Sequence, residues 1–173
     1  MLGEGKLVTL KAGTKEITCH KMRQAGTVSP GGLAEATELH FSECLTNQTG
    51  CDPHTAGAPN GLIVFKNIPT ALTLREVASG GGVKIVAEEY KSNPTTKEFG
   101  TVEFSTLAGG SCSEFPTSKY KGQFAGEVLN ATEEINFPEP ELKGNTFEVF
   151  GKAGSIVARF TQMLANGGKL TAS

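Results

Sequence analysis

Two histidines and two cysteines lie close together in the sequence and could bind a metal. Their spacing is His40-x3-Cys44-x6-Cys51-x2-His54, and two imidazoles with two thiolates can form a tetrahedral zinc site. The pattern lacks the paired short knuckles that make a zinc motif specific. A disulfide that closes the polar loop between Cys44 and Cys51 explains the same residues more simply. We therefore expect neither a metal nor another cofactor.

The cysteines fit disulfide bonds better than redox chemistry. Their number is even, Cys19, Cys44, Cys51 and Cys112, and no two of them form a Cys-x-x-Cys pair. Proximity in the sequence favours Cys44–Cys51, and Cys19–Cys112 follows by elimination. Disulfides imply folding in an oxidising compartment. The first residues lack the basic and apolar regions of a signal peptide, so we expect a secreted or cell-surface protein whose leader has been removed.

No recognisable hydrolase motif is present in the sequence. The segment Gly109-Gly110-Ser111-Cys112-Ser113 lacks the last glycine of a nucleophile elbow, and all three histidines lie within residues 20–54. We predict that the protein is not an enzyme. The alternative is a secreted hydrolase whose site is assembled from residues that are distant in the sequence.

Paired carboxylates could supply the acid and the nucleophile of a glycosidase. The candidates are Glu88-Glu89, Glu133-Glu134 and Glu139-x-Glu141. Adjacent residues of a strand point to opposite faces, so neither of the first two pairs can share a site if it is extended. The third pair lies in a loop restricted by prolines. Solvated surface is the simpler interpretation of all three pairs.

Composition excludes several classes of partner. The net charge is −2 and charged residues make up 20% of the chain, so no overall field of one sign attracts nucleic acid or an anionic membrane. No apolar run is long enough to span a bilayer, and we predict no membrane insertion. The absence of Trp, with only two Tyr, disfavours sugar recognition by stacking.

Alternating apolar and polar residues between glycine-rich turns predict an all-β chain. Leu33–Leu39 is the only segment that could be helical, and we prefer a strand there. The expected fold is one domain, residues 1–173, forming an antiparallel sandwich or barrel of many short strands stapled by disulfides. The predicted strands are Lys6–Leu10, Ile17–Lys21, Thr37–Ser42, Leu62–Asn67, Leu72–Val77, Val83–Ala87, Thr101–Ser105, Gln123–Leu129, Glu134–Phe137, Thr146–Phe150 and Ile156–Thr161.

The segments around the cysteines resemble a group of uncharacterised, predicted secreted proteins of actinobacteria with four cysteines. The chain departs from that group after Cys51, where Asp52-Pro53-His54 replaces a Ser-Pro-Gly-like continuation. The resemblance implies an exported β-rich protein and carries no activity. The matching stretches are Lys15-Glu16-Ile17-Thr18-Cys19, Ser29-Pro30-Gly31, Phe41-Ser42-Glu43-Cys44, Gly50-Cys51, Ser111-Cys112, Lys121–Val128, Ala158–Thr161 and Gly167–Leu170.

A structural or binding module of the bacterial exterior is the function that these observations favour. Such a module could be a self-assembling subunit of a surface structure or filament, with copies of itself as partners. The strand Lys6-Leu7-Val8-Thr9-Leu10 could be donated to the sheet edge of a neighbour, or it could be the first strand of its own sheet. A barrel that binds a small ligand in its interior is a further alternative.

Overall fold

The computed structural model of the chain describes residues 2–28, 33–77, 81–129, 134–137 and 142–163. The all-β class predicted from the alternation is confirmed. The strands are β1 Leu2–Ala12, β2 Lys15–Val28, β3 Leu33–Thr46, β4 Cys51–Thr55, β5 Ile63–Glu76, β6 Lys84–Lys91, β7 Gly100–Thr106, β8 Ser118–Tyr120, β9 Gln123–Leu129, β10 Glu134–Phe137, β11 Glu148–Val149, β12 Lys152–Ala153 and β13 Ser155–Met163. Within the described ranges, no helix is long and apolar enough to cross a bilayer.

Eight of the strands close into an antiparallel barrel. Their order around the wall is β1, β13, β10, β9, β6, β5, β3 and β2. Because each strand reverses direction, the last residues of β2, β5 and β9 and the first residues of β3, β6 and β10 all lie at one end, which we call the open end. The β1–β2 hairpin and the strands inserted between barrel strands lie at the opposite, closed end. Between sandwich and barrel, which the sequence left open, the structure is a barrel.

A small sheet seals the closed end with aromatic side chains. It consists of β4, β7 and β8, and a ribbon of β11 and β12 lies beside it. Phe65 from the barrel wall contacts Phe99 and Tyr120 with ring centroids 6.0 and 5.9 Å apart. The ammonium of Lys15, in the β1–β2 hairpin, lies 5.9 Å from the ring centre of Phe115. The inserted strands therefore form a plug that packs on the closed end of the barrel.

Side chains pointing inward from every barrel strand fill the core. Toward the closed end these are aliphatic and aromatic, and midway along the barrel they include Tyr90 stacked on Phe124 at 4.9 Å. A second, smaller cluster lies where the segment after β10 crosses the outer face of the wall, with Leu142 packed against Ala87 and Ala125. The main cluster includes Val8, Leu10, Ile17, Met22, Leu39, Phe41, Ile63, Phe65, Ile68, Phe137, Val149 and Ile156.

The alternation of three adjacent strands is interrupted at the same level. Leu7 and Glu43 have the left-handed φ values of 55° and 54°, which are uncommon for residues other than glycine. Both lie opposite His20 in the β1–β2 and β2–β3 registers, and the β1–β13 register shifts between Lys6 and Thr9. Such bulges redirect the side chains that follow them. Two consecutive residues on β1 and on β2 consequently face solvent here.

The segment Lys6–Leu10 lies inside β1 and belongs to the barrel of its own chain. Thr9 is paired with Val157 of β13 on one side and with Thr18 of β2 on the other. With ladder partners on both edges, the strand is already part of its own sheet and is not available to pair with the sheet of a neighbour. The expectation of a donated strand is therefore corrected, and the alternative of an ordinary first strand describes the structure.

Candidate functional site

The cysteines form two disulfides, but the predicted pairing is wrong. Cys19 is bonded to Cys44 and Cys51 to Cys112. Cys19 and Cys44 are directly opposite in the register of β2 and β3, whereas proximity in the sequence had favoured Cys44–Cys51. The second bond ties β4 to the loop between β7 and β8. Both bonds are of the kind that persists in oxidising environments outside the cytosol.

Disulfide formation removes the thiolates of the possible zinc site. Cys44 and Cys51 are both oxidised, and His40 and His54 lie on different strands, β3 and β4. Among the described residues, no group of three or more His, Cys, Asp or Glu side chains is placed to hold a metal ion. The chemistry of the donor set therefore contradicts the zinc interpretation.

The two histidines with ionic partners belong to separate clusters. His40 Nε2 lies within hydrogen-bond distance of Glu38 Oε2, and Lys66 Nζ lies 3.3 Å from the other oxygen of Glu38. The contacts with His40 and Lys66 hold the pKa of Glu38 below its usual value. His54 Nε2 lies 3.7 Å from Glu103 on β7. The His40 contact is thus an exposed ion pair, whereas His54 is largely buried. No serine takes part in the histidine-to-carboxylate contacts that the structure describes.

Glu88 and Glu89 face opposite sides of the wall, as the alternation predicts. Glu88 points into the barrel, where Gln24 Nε2 lies 3.4 Å from its Oε1. Tyr90 donates a hydrogen bond of 2.8 Å from its hydroxyl to Gln24 Oε1. Since β2 and β6 are not neighbours in the wall, this buried polar cluster spans the interior. Burial, followed by the charge of Glu88, raises the pKa of Tyr90 well above its usual value.

Glu89 lies on the outer side, under the segment that crosses the wall. Its carboxylate is 3.1 Å from Arg75 Nη2 and 2.8 Å from Lys91 Nζ. Opposite faces and different partners prevent Glu88 and Glu89 from acting on one substrate. The remaining candidates, Glu133, Glu139 and Glu141, lie outside the described residues, as does the side chain of Glu134.

Leu74, near the open end of the barrel, is the most exposed large apolar side chain that the structure describes. Among the described residues, pairing of β3 with β5 extends as far as Ala71, and pairing of β6 with β9 as far as Ala87. Beyond these points β5 and β6 continue together as an arm, residues 72–76 and 84–86, and residues 142–143 bond to the end of its β5 strand. Leu74 on the arm is 69% exposed and Val83 beside it is 56% exposed. Sequence reasoning predicted both strands but not that they extend beyond the wall.

Leu2 on β1 is also exposed at this end, to 52%, but β1 lies across the barrel from the arm. Charges of both signs lie near Leu74 on the arm. Glu76 is opposite Lys84 and also forms an ion pair with Lys143. We call the exposed and charged residues of the arm, Leu74, Val83, Glu76 and Lys84, the open-end surface. It joins apolar contact area to complementary charges. No protein-family model, curated protein or solved structure matches the chain.

Proposed function

We propose that this protein is a secreted, non-catalytic structural module that associates with copies of itself through the open-end surface. The carrying observation is the exposure of Leu74 and Val83 on an arm that extends past the barrel wall. Exposed apolar surface of this kind, bordered by charged residues, is typical of interaction sites. Two disulfides and a closed wall suit a durable part of an extracellular structure.

A second copy is the occupant that the charges favour. Most soluble oligomers are symmetric, and a twofold contact requires one surface that complements itself. The open-end surface meets this requirement because Glu76 and Lys84 lie on adjacent strands of the same arm. Rotation about a twofold axis near Leu74 can place each carboxylate near the ammonium of the other copy while the leucines meet.

The core packing argues against the alternative of a ligand held deep in the barrel. Phe41 and Phe65 occupy the interior near the closed end, and Phe124 stacked on Tyr90, with Gln24, fills it midway. Binding there requires displacement of packed rings, which costs several kcal/mol for each large side chain. The proposal therefore places the interaction on the surface.

Light scattering coupled to size-exclusion chromatography tests the proposal. The wild-type protein should elute as an oligomer whose mass rises with concentration, and Leu74→Lys with Val83→Lys should give a monomer of unchanged circular dichroism. The matched control is Leu45→Lys with Leu107→Lys, two exposed leucines away from the open end, which should leave the mass unchanged. A monomeric wild type at all concentrations, or equal loss in both double variants, would reject the proposal.

A further inference from the structure

Three cations lie in a row across the outer face of the barrel. Lys6 on β1 is directly opposite Arg159 on β13 and Lys21 on β2, and all three are exposed. Neighbouring strands lie about 4.8 Å apart, so the row extends over about 10 Å. Like charges directly opposite each other destabilise a sheet. The free protein thus carries a repulsion that an anionic ligand would relieve.

The row lies in a groove of about 480 Å³ on this face. Arg23 contributes a fourth cation and forms an ion pair with Glu4 at 3.4 Å, while Lys21 forms one with Glu43. The local charge is therefore positive although the chain as a whole is negative. We call this the basic groove; its lining residues are Glu4, Gly5, Lys6, Lys21, Met22, Arg23, Arg159 and Thr161.

The backbone irregularity of the wall is what places the lysines outside. Regular alternation from buried Cys19 would turn Lys21 into the barrel, and alternation from buried Val8 would do the same to Lys6. The bulge at the level of Leu7 reverses both directions. Left-handed residues other than glycine cost free energy and are found preferentially at functional sites. Here the strain positions two lysines beside Arg159.

We infer that the basic groove binds an anionic polysaccharide. An acidic sugar chain presents negative groups at regular intervals along an extended line, which fits a straight row of cations in an open groove. Contacts by ammonium and guanidinium groups need no aromatic platform, consistent with a chain that has no tryptophan. An extracellular location, which belongs to the proposed function, is where such polymers occur.

Other polyanions fit the groove less well. Proteins that bind single-stranded nucleic acid add exposed aromatic rings for the bases, and every described aromatic side chain here is buried or half-buried. Each basic residue near an anionic membrane contributes only about 1 kcal/mol to the free energy of binding. The convex barrel wall brings few basic residues to one plane. The observations therefore favour a sugar polymer.

Binding of polygalacturonate, with uncharged dextran as the blank, tests this inference. Affinity should be measurable by thermophoresis at low salt and should fall steeply with added NaCl, with no binding to dextran. The variant Lys6→Gln, Lys21→Gln, Arg159→Gln should bind at least about tenfold more weakly. Its thermal midpoint should stay close to that of the wild type, because the repulsion removed from the row offsets the loss of the Lys21–Glu43 ion pair.

The matched control removes the same charge elsewhere. Lys66→Gln, Lys97→Gln, Lys119→Gln changes three exposed lysines outside the groove and should retain wild-type affinity. Equal weakening in both triple variants, or wild-type protein that binds duplex DNA or phosphatidylglycerol vesicles but not polygalacturonate, would overturn the inference. Particle size in the same samples reports the self-association separately, so failure of one proposal is distinguishable from failure of the other.

Discussion

Cys19 and Cys44 lie directly opposite each other on β2 and β3, and their disulfide points into the barrel core, with neither residue exposed to solvent. Val8 of β1 is opposite Cys19 on the other side. The bond thus fastens two strands immediately below the bulged level that carries Leu7 and Glu43. The Cys51–Cys112 bond instead fastens the plug, linking β4 to a loop 61 residues away in sequence.

The two bonds should differ in their effect on stability. In the chain-entropy model, separations of 25 and 61 residues correspond to about 3.5 and about 4.3 kcal/mol of unfolding free energy. Cys51→Ala with Cys112→Ala should therefore lower stability in urea slightly more than Cys19→Ala with Cys44→Ala. Peptide mapping without reduction checks the pairing itself. Recovery of a Cys19–Cys112 peptide would contradict the structure.

Because β1 closes the barrel between β2 and β13, we expect the fold to depend on this strand. Thr9 is paired on both sides, and proline cannot donate a backbone hydrogen bond to the ladder. Thr9→Pro should therefore abolish the cooperative unfolding transition or lower its midpoint strongly, whereas Thr9→Val should leave the fold intact. Folded Thr9→Pro protein that differs from wild type only in particle size would instead revive strand donation.

The sequence predicts individual strands well where alternation is regular. Gln123–Leu129 and Glu134–Phe137 have the predicted bounds. Leu62–Asn67 and Leu72–Val77 were predicted as separate strands, but the structure has one continuous strand, β5. Its backbone continues through Asn67 with a left-handed φ of 55°, and its pairing with β3 continues through Pro69. β4 was missed, since Pro53 argues against a strand in a central position but is tolerated at the edge of the small sheet.

Interactions across strands could not be obtained from alternation. The disulfide pairing depends on the register between β2 and β3, which places Cys19 directly opposite Cys44. The number of residues between the two cysteines does not indicate that register. The basic groove depends on the bulge at Leu7, and neither residue type nor spacing indicates a left-handed leucine. Whether Lys6 and Lys21 point into the barrel or toward solvent could therefore be determined only from the backbone structure.

The two tyrosines offer a matched test of the buried polar cluster. The Tyr90 hydroxyl donates to Gln24, whereas the buried Tyr120 hydroxyl has no hydrogen-bond partner among the described residues. Loss of a buried hydrogen bond costs about 1–2 kcal/mol, while removal of an unsatisfied buried hydroxyl is nearly neutral or stabilising. Urea denaturation should show Tyr90→Phe destabilised and Tyr120→Phe close to wild type. Equal losses of unfolding free energy in the two variants would mean that the buried polar cluster does not contribute to stability.

Both tyrosines should also resist ionisation until the barrel unfolds. Burial raises the pKa of Tyr90 and that of Tyr120 above the usual value, which is about 10 in an unfolded chain. The folded state favours the neutral phenols, so this contribution to stability is complete below about pH 10 and is lost as the pH rises further. Absorbance at 295 nm should remain flat through pH 10 and then increase together with the loss of β-structure in circular dichroism.

Tyr120→Phe provides the control for this titration, because it should halve the absorbance change while the change still coincides with unfolding. A phenolate signal that appears near pH 10 while the circular dichroism is unchanged would show that at least one of these rings is accessible to solvent in the native barrel.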